Sequence, residues 1–467
     1  MKSPLFQLWM AAVERDPLAV AVDDTATGKS WSRVALAAAA CEWAESFSRS
    51  VGYSPHVRSL VAMAVPNGGS WFQVFLGILA SGAVPAPIDP SEPEEAQVAA
   101  ASSIGADFIW RDGRLRRVGP GRSTASARLR SEGVCLVKLT SGSSGSPRGM
   151  AVTHSQMEAD ARQICASMKI GAGDANLAAI PLGYSYGLGN IVIPLMLQGT
   201  RVICLSSALP HAIAADALRH RPTVFPAVPP ILRALASSDV SRRSLASLRL
   251  VISAGSPLAR EVAGAFAGKF GLKVHGFYGA SETGGIAYDR TGAATLEGRS
   301  VGTPITGVRI SFGSAGRFSV SSPAVIGKGR YSPADRAALN KLGELVLLGR
   351  TDRVVKVAGR RVDLAEIESA LRSVPGIRDA FAQMAAGTEA ALSAAVVTDL
   401  SAAEIRRLLR PRVASWKIPS RIIALPDFPA TARGKTDSRK LRQMLSAPRT
   451  ATSISTLRAE RQMSAPR

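Results

Sequence analysis

Short apolar runs alternate with helical stretches and Gly-rich turns from the N-terminus to about residue 290, and that rhythm restricts the fold more than any other feature of the chain. The runs are Leu60–Val65, Val134–Leu139, Ala178–Ile180, Arg201–Leu205, Thr223–Pro226, Leu248–Ser253 and Lys273–Gly276. Each is too short for a helix and apolar on consecutive positions, as strands buried on both faces are. Between them Val34–Trp43, Ser70–Ala80 and Ser155–Met168 read as helices, the first with a serine cap within Ser30–Ser32. Such alternation predicts an α/β domain of mostly parallel sheets covered by helices.

The pattern changes after residue 300. The segments RISFG, RFSVSS and ELVLLG suggest a small antiparallel layer. Beyond Thr351 the order strand, turn, strand, helix (Glu366–Leu371), strand describes a separate small α+β unit. We therefore expect a large domain over residues 1–350, a small one over 351–445 and a polar, basic, disordered tail over 446–467.

Composition excludes several classes. Apolar residues make up 46% and charged residues 20% of the 467, which is globular composition. The formal net charge of +22 favours acidic or phosphate-bearing partners, but it is spread along the chain rather than blocked. No helix-turn-helix, zinc or aromatic-basic motif accompanies it, so nucleic acid is not an expected partner. Cys41, Cys135, Cys165 and Cys204 are widely spaced, which suggests free thiols in a reducing cytoplasm and not a zinc site or disulfide scaffold. Glu14, Arg15 and Asp16 interrupt the N-terminal apolar stretch too early for a signal peptide, and no apolar run reaches the ~18 residues of a membrane span.

The stretch Leu139–Gly149, LTSGSSGSPRG, carries the strongest chemical signal. It follows a strand and precedes a helix, and its small residues let backbone N–H groups and hydroxyls converge on an anion. It is not a loop of the G-x-x-x-x-G-K-[ST] type. Gly28-Lys29-Ser30 has Asp23 where the first glycine belongs, and Gly434-Lys435-Thr436 has Pro429 there.

Thr140–Gly149 resembles the signature loop of the acyl-adenylate-forming superfamily of acyl-CoA synthetases, peptide-synthetase adenylation domains and luciferases. The likeness continues in order through GAVPAPIDP (82–90), PLGYSYG (181–187), AGSPL (254–258), GFYGASE (276–282), VGTPITG (301–307), GRTDRVVKVAGRRV (349–362) and TARGKTDSRK (431–440). It implies a large N-terminal domain hinged to a mobile C-terminal one, with ATP and Mg²⁺ used to form an acyl-adenylate that is passed to a thiol.

The same resemblance implies roles for individual residues. Thr140, Ser141, Gly142, Ser143, Ser144 and Gly145 would hold the β- and γ-phosphates, with Arg148 in place of the usual lysine. Ala254 and Gly255 would lie along the adenine, on which Tyr278 would stack next to Gly279, and Ser281 stands in for a threonine. Glu282 would ligate Mg²⁺. Asp335, in the altered triplet Pro333-Ala334-Asp335, and Arg350 would hold the ribose. Asp352 is the implied hinge, Gly359 would lie by the thiol tunnel in the second pose, and Lys435 is the implied catalytic cation.

Tyr184, Tyr186, Gly187, His275 and the stretch Ala227-Val228-Pro229 are candidates to line the acyl site. No acid stands in Gly183–Tyr186 to pair with an α-ammonium, so a fatty or aryl acid is expected in preference to an amino acid. Coenzyme A is the expected acceptor, with the phosphopantetheine of an acyl carrier protein as the alternative; no carrier attachment site follows Lys435. A degenerate member that binds without catalysis is the alternative of a different class, suggested by Arg148, Tyr184 and the altered triplet.

Overall fold

The computed structural model describes residues 3–51, 58–118, 128–129, 131, 133–141, 147–327, 329–350, 353–357, 360–385, 391–431 and 436–447. The chain forms two compact units, the first running to Leu348 and the second taking Gly349–Thr431 and the chain from Thr436.

The first unit opens with helix α1 (Pro4–Arg15), the strands β1 (Val20–Asp24) and β2 (Lys29–Ser32), and helix α2 (Arg33–Val51). The serine that caps α2 is Ser32, whose Oγ accepts the Ala35 N–H at 3.2 Å. A four-stranded sheet follows in the order β4-β3-β5-β6, built from β3 (Leu60–Ala64), β4 (Val84–Pro87), β5 (Phe108–Arg111) and β6 (Arg114–Arg117). Its crossovers are α3 (Gly69–Ala80) and α4 (Glu94–Ser103). Trp9, Phe6, Phe72 and Phe75 are fully buried where α1 and α3 meet the sheets. Each such side chain contributes about 1.5–3 kcal/mol of burial free energy.

An antiparallel ribbon comes next, β7 (Val134–Ser141) against β8 (Pro147–Thr153). It leads into helix α5 (His154–Met168). Thr153 and Gln156 close the start of α5 with a reciprocal capping box.

The large sheet is nine-stranded, in the order β15-β14-β13-β12-β11-β9-β10-β1-β2. Its later strands are β9 (Ala175–Ala178), β10 (Arg201–Cys204), β11 (Val224–Ala227), β12 (Leu250–Ser253), β13 (Val274–Ala280), β14 (Gly284–Tyr288) and β15 (Thr303–Pro304). The run from β13 to β1 is parallel throughout, while β2, β14 and β15 pair antiparallel at the edges. This is the helix-covered parallel architecture that the alternating runs predict. One strand lies earlier than expected. β9 occupies Ala175–Ala178 rather than Ala178–Ile180, because fully buried Asn176 interrupts the apolar run and sends its amide to the Asn190 carbonyl at 3.3 Å.

The small antiparallel layer expected after residue 300 is present as β16 (Arg309–Phe312), β17 (Phe318–Ser321) and β18 (Arg330–Tyr331), with a separate pair β19 (Asp335–Leu339) and β20 (Leu345–Arg350). The second unit has a hairpin, β21 (Val354–Val357) and β22 (Arg360–Asp363), then a helix over Leu364–Arg372. Its sheet has the order β23-β24-β25, formed by Ile377–Met384, Leu392–Thr398 and Arg421–Leu425. Among the described residues no helix is long and apolar enough to cross a membrane.

Candidate functional site

Ligands of open α/β sheets bind beyond the carboxyl ends of the parallel strands. The segments singled out in the sequence leave the large sheet at that edge. Ala254 and Gly255 follow β12, and Gly255 adopts a φ of +90° there. Tyr278 and Gly279 lie just before the end of β13 at Ala280, and Ser281 and Glu282 form the tip of the turn into β14. Tyr184–Gly187 lie beyond β9.

The turn at Ser281–Thr283 is fixed from several sides. Thr283 is fully buried and donates to the Gly284 carbonyl at 3.0 Å. The Glu282 carbonyl accepts the Ile326 N–H at 2.9 Å. Glu282 itself is half-buried. Gly284 has a φ of +68°, and a Cβ there would stand 2.2 Å from Asp160 Oδ1, so glycine is required on both counts.

Two candidates from distant parts of the sequence meet directly. The Tyr278 hydroxyl donates to Asp335 Oδ2 at 2.7 Å. Asp335 is the first residue of β19 and is half-buried. The acyl-site candidates are tied to the same region. Ser185 Oγ donates to Ser281 Oγ at 3.0 Å. Tyr184 donates to Asp89 Oδ2 at 2.6 Å, which links it to the 82–90 turn. Tyr186 donates to the Ile252 carbonyl at 3.3 Å, and its ring lies 6.1 Å from that of Phe277. Burial pushes the Tyr186 phenol above its usual range. Gly187 is closely packed, for a Cβ would meet the Pro181 carbonyl oxygen at 2.2 Å. Ala227 and Val228 are buried at the end of β11.

His275 pairs in register with Ile252, whose carbonyl accepts the Tyr186 hydroxyl, so its backbone lies beside the acyl-site candidates. It lies near the start of β13, three residues before Tyr278, a distance of roughly 10 Å along a strand. Its Nδ1 sits 2.8 Å from the Asp289 carbonyl, and its ring stacks on Tyr288.

The phosphate-loop candidates Thr140 and Ser141 end β7, where their backbones pair with Arg148 and Pro147 of β8. Arg148 is exposed on β8, and Arg350 is the exposed last residue of β20. Gly142, Ser143, Ser144, Gly145, Asp352, Gly359 and Lys435 lie outside the described residues, as do residues 448–467 of the expected tail. Its expected start at 446 is too early, because Ser446 is the last residue of the helix Ser438–Ser446, whose buried Leu441 and Leu445 hold it to the core.

Sequence reasoning passed over a charged pair beneath this edge. Lys138, counted within an apolar strand, is only 5% exposed, and Asp160 of α5 is 3% exposed. Burial holds the Lys138 ammonium below the usual lysine range, opposed by the charges of Asp160 and Glu282. Burial likewise raises the Asp160 carboxyl, opposed by Lys138 and by the Gly285 N–H. A lysine so soon before an anion-binding loop was the available signal. The thiols of Cys135 and Cys165 are pushed up to about 12 by burial, so neither is a reactive nucleophile.

The arrangement can present a phenol and a carboxylate to a nucleoside and a second carboxylate to a cation. Among the described residues no cluster of three or more His, Cys, Asp or Glu could hold a metal alone. The half-buried Glu282 carboxylate at the turn is nevertheless a donor that fits Mg²⁺, which takes one or two carboxylates and completes its shell with phosphates and water.

The profile of AMP-binding enzymes matches residues 110–312, and that of the AMP-binding enzyme C-terminal domain matches 366–435. Benzoate–CoA ligase of Thauera aromatica is 30% identical over 364 residues, taking in 68% of this chain and 67% of that protein. Feruloyl-CoA synthase of an Amycolatopsis species is 27% identical over 383 residues, covering 73% of this chain and 76% of that one. The structure of O-succinylbenzoate coenzyme A synthetase (MenE) from Bacillus subtilis in complex with AMP superposes with a TM-score of 0.80 at 19% identity, covering 96% of this chain and 99% of that one.

Proposed function

Because the chain belongs to the AMP-binding enzyme family of acyl-adenylate-forming enzymes, we propose that it activates an aromatic carboxylic acid with ATP and transfers the acyl group to coenzyme A. The observation that carries the adenylation step is the Tyr278–Asp335 hydrogen bond at 2.7 Å. It joins the adenine-stacking candidate to the ribose-binding candidate next to the turn that bears Glu282. The aromatic preference rests on Tyr186 and Phe277 in the acyl region and on the benzoate and feruloyl ligases among the relatives.

In this reading a carboxylate oxygen of the acid attacks the α-phosphorus of ATP, the bond to the bridging oxygen breaks and pyrophosphate leaves. A thiolate sulfur then attacks the acyl carbon of the adenylate and AMP leaves. Tyr278 and Asp335 orient the nucleoside, and the 140–145 loop receives the β- and γ-phosphates. Lys435 stabilises the negative charge that develops at the α-phosphate. Glu282 would hold Mg²⁺, whose bound charge offsets that of the phosphates. Tyr184 and Tyr186 shape the acyl side. With no acid in Gly183–Tyr186, an α-ammonium would be left unpaired. Four free cysteines suit work in a reducing cytoplasm.

ATP–pyrophosphate exchange over benzoates, cinnamates, fatty acids and amino acids tests the proposal. Exchange with an aromatic class supports it, and exchange with amino acids alone overturns the substrate reading. Absence of exchange in a folded protein that binds ATP favours a non-catalytic binding role. Thioester formation with free coenzyme A, and not with a phosphopantetheinylated carrier, settles the acceptor.

A further inference from the structure

Between the end of β9 and the helical turn at Ser185 the acyl segment has no regular pairing, so its backbone groups need partners from elsewhere. Asn67 supplies two. Its Nδ2 donates to the Ile180 carbonyl at 2.8 Å, and its Oδ1 accepts the Leu182 N–H at 3.0 Å. One planar amide thus grips the chain on both sides of Pro181, which has no N–H to offer. Asn67 is half-buried in the loop between β3 and α3. That loop is fixed in turn, for the Gly69 N–H donates to Oδ2 of buried Asp24 on β1 at 3.0 Å.

The neighbouring strand of the four-stranded sheet meets the next residues of the segment. β4 runs parallel to β3, so both present their carboxyl ends at one edge. Pro87 ends β4, and a Cβ on Gly183 would stand 2.6 Å from Pro87 Cβ. Tyr184 follows, with its hydroxyl on Asp89 at 2.6 Å. Ser185 and Tyr186 then turn to the large sheet, bonding Ser281 and the Ile252 carbonyl. The segment therefore lies in a seam between the two sheets. The 82–90 turn, which supplies none of the nucleotide candidates, forms part of its outer wall.

We propose that Asn67 is a positioning residue for the acid, setting the acyl segment against the carboxyl edge of the four-stranded sheet. It acts through the backbone at Ile180 and Leu182, which carries Tyr184 and Tyr186 into place. The nucleotide candidates hang from other strands and do not depend on it. The inference rests on the adenylation reading and its acyl-side assignment of Tyr184 and Tyr186.

The test is Asn67→Ala in the full chain, with the acid that the wild type exchanges fastest. Pyrophosphate exchange gives kcat and KM for ATP and for the acid separately, and melting with and without ATP, in the absence of acid, reports on the nucleotide site. Loss of two hydrogen bonds should raise KM for the acid about tenfold and narrow the spread of kcat/KM among its close analogues. KM for ATP should stay within about twofold, and the ATP-induced shift should match that of the wild type. An unchanged KM for the acid overturns the proposal. So does an equal rise in both KM values, or a fall in kcat alone, since either marks a general structural loss. If Asn67→Ala does not fold, Asn67→Asp, which keeps the acceptor for Leu182, is judged by the same criteria. Failure of both to fold makes Asn67 a purely structural clamp and overturns the proposal. Absence of exchange by the wild type with every acid removes the adenylation reading itself, and the proposal with it.

Discussion

Tyr278 and Asp335, 57 positions apart in sequence, share a 2.7 Å hydrogen bond at the carboxyl edge of the large sheet. Loss of the carboxylate should therefore be felt by the nucleotide and not by the acid. Asp335→Ala is expected to raise KM for ATP by one to two orders of magnitude, the scale of a lost hydrogen bond to a charged group. KM for the acid should move less than about threefold, which exchange kinetics with each substrate varied in turn would establish.

Lys435→Ala separates the two half-reactions. Adenylation should fall by about 10²–10³ when a preplaced charge at the reacting phosphate is removed. Transfer from a supplied acyl-adenylate to coenzyme A should persist near the wild-type rate. Equal loss in both steps, followed by separate assays of each, would remove Lys435 from its assigned role.

Tyr184 is held by Asp89 at 2.6 Å. Tyr184→Phe keeps the ring and removes the bond to Asp89 Oδ2 while Oδ1 still accepts from Ser91, at a cost of about 1–2 kcal/mol. The acid selectivity, measured as kcat/KM for small against bulky aromatic acids, should relax, while KM for ATP stays put. Asp89→Asn retains an acceptor and should behave closer to wild type.

Gly284→Ala tests the close packing on Asp160. A side chain at φ +68° is strained, and the added Cβ would enter the space of Asp160 Oδ1. The strain alone costs about 1–2 kcal/mol. A fall in denaturation midpoint without a change in m-value is expected in urea titrations.

His154 gives the stability a pH dependence. Burial and the Arg58 charge lower its folded value from 6.5 to about 4. The unfolded chain therefore binds the proton first. Stability from the neutral imidazole is complete above pH 6.5 and declines as pH falls towards about 4. The ring is half-exposed, so solvent screening reduces the effect. His154→Gln should flatten the melting temperature across that window, as scans from pH 4 to pH 8 would show.

The layered fold was readable because buried parallel strands leave unbroken apolar runs, and the helices between them carry their own start signals. Where a polar residue is buried in such a run the reading fails. Asn176 displaces the expected strand, and nothing in the apolar run around Lys138 signals that its ammonium is buried. The site candidates were legible as motifs, but not their pairing. Nothing local in Pro333-Ala334-Asp335 indicates that its carboxylate meets Tyr278.

The parallel strands of the large sheet deliver their carboxyl ends to one edge by separate crossovers. The candidate nucleotide contacts arrive through β12, β13 and β19, whereas the candidate acyl segment arrives beyond β9. Most of the parts that would choose the acid, the segment around Tyr184 and Tyr186, therefore lie on a different stretch of chain from those that would spend the ATP, with Phe277 on β13 as the point where the two meet. Drift in one stretch can retune the substrate while the other conserves the chemistry, so descendants of such a chain can diverge in what they activate long before they diverge in how.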